Sequence, residues 1–238
     1  MINGLYSGAT AMDAFSRQQE LISSNLAHMN TPGHRRVQFA FEEKFSQDND
    51  QMTKLPGMAA NETYVDFSQG RLEPTGRQLD VAIQGEGFFN YQGETGTLYS
   101  RNGALFRSPE GQLVNSDGLP ILSDGAPLNI PDGVYNNTIS IDSSGTISSN
   151  GTELGKLTVT QFDNEQLLAS ENSTTYFQKG EAQEQAGEPP IILQGNRELS
   201  NSHPVTELIN LIIGSRHFEA AQRAMRTISE SIQENVRS

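Results

Sequence analysis

Four histidines, His28, His34, His203 and His217, are the residues best suited to hold a metal or move a proton near neutral pH. None is spaced as H-x-x-x-H or HExxH, the patterns that set two imidazoles on one helix face. His28 and His34 are close in sequence, but Pro32 and Gly33 stand between them. Capping or solvent contact is therefore expected of this pair. The chain has no Cys, which removes disulfides, thiolate catalysis and Cys-based zinc sites. No G-x-S-x-G elbow offers a hydrolase nucleophile. Acids are abundant, so a carboxylate pair for glycoside hydrolysis stays open. Yet Asp and Glu stand beside Gly in turns, where they hydrogen-bond the backbone. There is also no Trp to stack a sugar ring. No D-x-D-x-D-G loop signals calcium. "QGEGFF" at 84–89 contains G-x-G but lacks a third Gly and a following helix pattern. It reads as a tight strand connection before Phe88 and Phe89 enter a core. The expectation is a non-enzyme with no catalytic, cofactor or metal site.

The elements that would carry any other function show in the charge. The 238 residues carry a formal net charge of −13. That length allows one domain or two small ones. An acidic balance argues against non-specific nucleic-acid binding and against docking on anionic lipid. The longest strongly apolar stretch, "ELINLIIG" at 207–214, is far short of the roughly 20 residues that span a bilayer. The first residues, "MINGLYSGATAMDAF", have no base before Arg17 and no apolar core, so no Sec-type leader is expected. Residues 1–45 and 201–238 each hold four bases and four acids. Residues 46–200 hold 8 bases and 21 acids, the whole net charge. Neutral ends can associate while an acidic middle stays solvated. Mixed charge of this kind also suits long helices with i,i+4 pairs.

Both ends carry a period of seven. Leu5, Met12, Gln19 and Leu26 form one row, and Gly8, Phe15, Ile22 and Met29 form a second three residues on. These are the a and d positions of a coiled-coil seam, weakened by Gln19 and Gly8. "TPG" at 31–33 stops this helix. Near the other end, Leu211, Phe218, Met225 and Ile232 form one row, and Gly214, Ala221, Ile228 and Asn235 the other. Pro204 suits a first helical turn, and Asn201 or Ser202 could cap it. Gly214 and Ala221 are small enough to admit a close helix. The seams are expected to pair with each other or between copies; packing onto the middle domain is the alternative. The assembly residues expected are Leu5, Met12, Phe15, Ile22, Leu26, Leu211, Phe218, Met225, Ile228 and Ile232. A weak seam is expected to order on assembly.

From about 66 to 200 the texture is β. Turn signals recur at Asn102-Gly103, Glu110-Gly111, Asp117-Gly118, Asp124-Gly125, Asp132-Gly133, Ser144-Gly145 and Asn150-Gly151. Short runs such as "LDVAIQG", "GFFNYQ", "TISID" and "IILQG" lie between them. Such spacing predicts an antiparallel sandwich or barrel. The fold class is α+β, with a mainly antiparallel β centre and terminal helices pairing as a coiled-coil-like bundle. The boundaries read as 1–45, an assembly helix and box; 46–66, a flexible linker; 67–200, the β domain; and 201–238, the second assembly helix.

Four segments carry a resemblance. In "LYSGATAMDAFSRQQELISSNLAHMNTPGHRR" at 5–36, Ser24, Asn25, Leu26, Ala27, Asn30, Thr31, Pro32, Gly33 and Arg35 match a "SNNLAN-x-NTPGF(K/R)" box. His28 replaces its usual Asn, and His34 its usual aromatic residue. "FSQGRLEPTGRQLDVAIQGEGFF" at 67–89 and "YSRNGALFRSPEGQLVNSDGLPIL" at 99–122 match two further blocks. "SNSHPVTELINLIIGSRHFEAAQRAMRTISESIQ" at 200–233 matches a C-terminal helix block through Arg216, Phe218 and Glu219. In this order the four resemble the bacterial flagellar rod and hook protein family.

That resemblance implies an axial building block without catalysis. It implies a helical homo-oligomer, with terminal helices inside and the β domain outside, that passes torque from motor to hook. The implied partners are further copies, other axial proteins of the rod and hook, and the flagellar type III export apparatus. The implied place is the rod crossing the periplasm, reached without a cleaved leader. The length leaves no room for the large outer domain of hook proteins, which favours a rod subunit, proximal or distal. A non-catalytic β module that binds an envelope polymer or a partner protein is the alternative.

Overall fold

Heptad spacing, the scarcity of β-branched residues and a stop at Pro32 and Gly33 make the first segment helical. In a computed structural model, which describes residues 2–43, 58–179 and 189–237, α1 runs Ile2–Ala27 and α2 runs Pro204–Arg237. The chain divides into two units. One comprises Met1–Ala27, Val37–Asp66 and Ser202–Ser238; the other comprises His28–Arg36 and Phe67–Asn201.

In the helical unit α1 and α2 pack against each other and run antiparallel. A Cβ added to Gly8 would lie 2.5 Å from Met225 Sδ, and one added to Gly214 would lie 3.7 Å from Gln19 Cγ. The Phe15 and His217 rings sit between these points, 5.4 Å apart. The weak seam positions thus complement one another: Gly8 makes room for Met225, and Gly214 for Gln19. Both helices are formed and paired within one chain. Met29 is not part of the seam, because α1 ends at Ala27 and a turn with Thr31 N–H donating to His28 O follows.

A β-hairpin completes this unit. Strands β1 (Val37–Glu43) and β2 (Met58–Val65) pair antiparallel from Val37↔Val65 to Glu43↔Met58, with a bulge at Ala40/Phe41. The sequence predicts a linker at 46–66. Residues 46–57 of it lie outside the described residues, and Met58–Val65 is a strand. Buried Asn25 ties α1 to the hairpin in both directions. Its Nδ2 donates to Val37 O at 2.8 Å, and its Oδ1 accepts from Val37 N–H at 3.0 Å.

The second unit is built of short antiparallel strands. The largest sheet has five strands, in the order 159–160, 88–92, 97–100, 175–178 and 168–170. A three-stranded sheet joins 139–141, 146–149 and 152–156. One core, including Val81, Ile83, Phe89, Leu105, Ile121 and Ile147, lies beneath them. Phe88 is equally buried but belongs to a separate aromatic group, edge-on to Phe67 and Tyr176.

The turn signals do not all act alike. Asn150 and Gly151 both have positive φ (50° and 79°) and close the 146–149/152–156 hairpin as a two-residue turn. Asn102-Gly103 is not such a turn. Asn102 is buried, and its Oδ1 accepts from Ala104 N–H.

Candidate assembly interface

Nine of the ten expected assembly residues lie among those whose side chains are described; Leu5 sits in α1 outside them. Ile22 is buried at 6% exposure. Met12, Phe15, Leu26, Leu211, Phe218, Met225, Ile228 and Ile232 are each half-buried. Pairing within one chain therefore leaves apolar seam surface in water. Ala14, which the heptad rows do not include, is the most buried apolar residue among the described side chains of α1, at 1%.

Asn201 and Ser202, the expected caps, precede His203, whose carbonyl accepts the first bond of α2 from Glu207 N–H; Asn201 bonds within the β unit. Its Oδ1 accepts from Arg36 N–H at 2.8 Å, and its Nδ2 donates to Ser68 O at 3.1 Å. Those bonds hold the box residue Arg36 within the β unit. Pro204 does open α2, where its missing N–H costs nothing.

The box itself is held by a buried charge cluster that the heptad and turn patterns miss. Glu198 is fully buried, and its Oε1 lies 2.6 Å from Arg35 Nη2. The same oxygen accepts from Gly70 N–H at 2.7 Å. Arg101 Nη1 is 3.5 Å from Glu198 Oε2, donates to Gly85 O at 2.8 Å, and its guanidinium stands 5.1 Å over the Phe88 ring. Two cations thus share one carboxylate. Burial lowers the Arg101 pKa to about 10, chiefly by desolvation, against the opposing pull of Glu198. The Glu198 carbonyl also accepts from Gly33 N–H at 2.9 Å. Gly33 has φ +74°, and a Cβ there would run into the Asn102 backbone, so only glycine fits.

The structure brings His28 and His34 together, with ring centroids 5.0 Å apart. His34 is buried, not solvent-facing, and its Nδ1 lies 2.8 Å from Ser173 O. Opposite a carbonyl, that nitrogen donates, and Nε2 has no partner among the described residues. Burial holds the His34 pKa below 6.5 against the bond to Ser173 O, which raises it, and the neighbouring His28 and Arg35 add to the lowering. The unfolded chain then binds the proton more readily than the folded one. Stability is expected to be full above about pH 6.5 and to fall as pH drops through the lowered value. Thermal melting between pH 7 and pH 5 tests this: His34→Phe should flatten the slope, and an unchanged slope would refute it.

Asp142 shows what the turn acids do. Its Oδ1 accepts from the backbone of Ser144 and Thr146, both at 2.9 Å, and these bonds with the Ser144 hydroxyl lower its pKa. Among the described residues no group of three His, Asp or Glu is placed to hold a metal.

Comparison with known proteins decides the family. Residues 5–35 match the family described as "Flagella basal body rod protein", 82–149 the "Flagellar hook protein FlgE/F/G D1 domain", and 193–236 the "Flagellar basal body rod FlgEFG protein C-terminal". The chain is 30% identical to the flagellar basal-body rod protein FlgG of Buchnera aphidicola subsp. Schizaphis graminum, covering 98% of each. The chain belongs to the flagellar basal-body rod protein family. Identity to FlgF of Mesorhizobium japonicum is 29%, over all of this chain and 98% of that protein. Identity to FlgF of Salmonella typhimurium is 28%, over 97% and 96%. These near-equal values place the chain among the rod proteins without assigning it to the FlgF or the FlgG type. The antiparallel α1–α2 pair and the buried box are thus features of a rod-family chain.

Proposed function

We infer that the protein is a structural subunit of the flagellar basal-body rod. The observation that carries this is the seam: both ends of the chain form one helix pair, and eight of its expected contact residues are only partly buried. Apolar surface of that extent favours association. Neighbouring copies and other axial components of the flagellum would complete the burial, building a helical shaft that transmits torque to the hook. Delivery through the flagellum's own export apparatus would fit a rod that crosses the periplasm. The role needs no catalysis or cofactor.

Purified basal bodies test the inference. The chain should co-purify with them at fixed stoichiometry to the rod and withstand salt washing. Its absence from the fraction in swimming cells would contradict the role.

A further inference from the structure

The first turns of α2 are apolar on two sides. One side, with Leu211 and Gly214, is the seam that meets α1. The other carries Val205, Leu208, Ile209, Ile212 and Ile213, all exposed, from 46% at Ile213 to 71% at Val205. With about 100° of turn per residue, the two sides lie about 180° apart, so α1 cannot cover both. A helix that is apolar all round is normally buried all round. Beyond Ile213 the same face turns polar and net basic, with Arg216, Glu219 and Arg223.

A complementary surface lies in the same unit. Between α1 and the hairpin runs a groove of about 480 Å³. Half-buried Leu21 and Phe39 line it, and exposed Asp13, Arg17 and Glu20 stand along it. Arg17 and Asp13 pair at 3.1 Å, and the two acids against one base give this rim a net negative charge.

We propose that the Val205–Ile213 stripe of one copy docks in the α1–hairpin groove of a second copy. The stripe supplies aliphatic side chains to Leu21 and Phe39, and Arg216 meets the acidic rim. The two surfaces differ, so the contact is head-to-tail. A docked pair still offers one free stripe and one free groove, so such a contact continues from copy to copy, as a helical filament where the rotation does not close, rather than ending at a dimer. This rests on the rod-subunit reading and adds which faces join.

The absence of Cys makes the test clean. Two full-length variants, Ile212→Cys on the stripe and Thr63→Cys at the groove, are co-expressed, and isolated basal bodies are mildly oxidised. A band at twice the chain's mass is expected only when both variants are present. It should be lost when Ile209→Glu is added to the stripe variant. If either variant fails to assemble, Leu208→Cys and Ser16→Cys replace the pair. Self-linking of Ile212→Cys would mean stripe-to-stripe contact and overturn the proposal. Basal bodies that contain the chain but show no such band, or a band to a different protein, would also overturn it while the rod reading stands. A chain missing from basal bodies would overturn both.

Discussion

Replacing Glu198 with alanine is expected to lower the stability of the β unit by about 3–5 kcal/mol, the usual cost of stripping the partner from a buried ion pair. Glu198 pairs with both Arg35 and Arg101, and all three side chains are at most 2% exposed. Without it two guanidiniums remain in a dry site, and Gly70 N–H loses its acceptor. Glu198→Gln should cost less, because an amide oxygen can still accept from Gly70. Urea unfolding of the full chain, followed by tyrosine fluorescence, gives the number. A loss under about 1 kcal/mol for the alanine variant would show that water reaches the cluster and that the box is held by other bonds.

Phe218→Glu is expected to abolish swimming. Phe218 sits half-buried on the α2 face that packs on α1, in the turn next to the Phe15–His217 contact. The change forfeits roughly 1.5–3 kcal/mol of apolar burial. It also forces a carboxylate into a seam with no cation on its own rows, a further desolvation cost. Every subunit in a shaft repeats the defect, so a modest loss per contact prevents assembly. Phe218→Leu, which keeps an apolar side chain, should retain motility. Soft-agar swimming with both variants at matched cellular levels is the check. Normal swimming of the glutamate variant would remove the seam from the assembly account.

Much of the fold is legible in the sequence because local rules and tertiary structure agree. The Asn150-Gly151 turn and the runs at 81–84, 88–92, 139–141 and 191–194 carry strand signals that packing reinforces. The helix pair is legible for the same reason, including Gly214, which faces Gln19; Gly8, a weak seam position in the sequence, proves to make room for Met225. The hairpin strand Met58–Val65 is not legible. Its residues "MAANETYV" are polar and weakly alternating, and it exists because β1 pairs with it. Nothing local in the sequence marks Glu198, Arg35 and Arg101 as a buried cluster, since the residues that bury them lie far along the chain. Asn25 stands out in the sequence only as a matched box residue; that it binds Val37 through both amide atoms shows in the structure. The exposed side of "ELINLIIG" is visible as apolar composition. Only the structure shows that α1 covers one side and leaves the other open.

The central claim, a rod subunit built on its terminal helices, is tested most directly by electron cryotomography of basal bodies in cells lacking the gene. The account predicts basal bodies whose rod is missing or stops short, with no hook beyond that point, and full rods once the gene is restored. Intact rods of normal length in the deletion strain would contradict it.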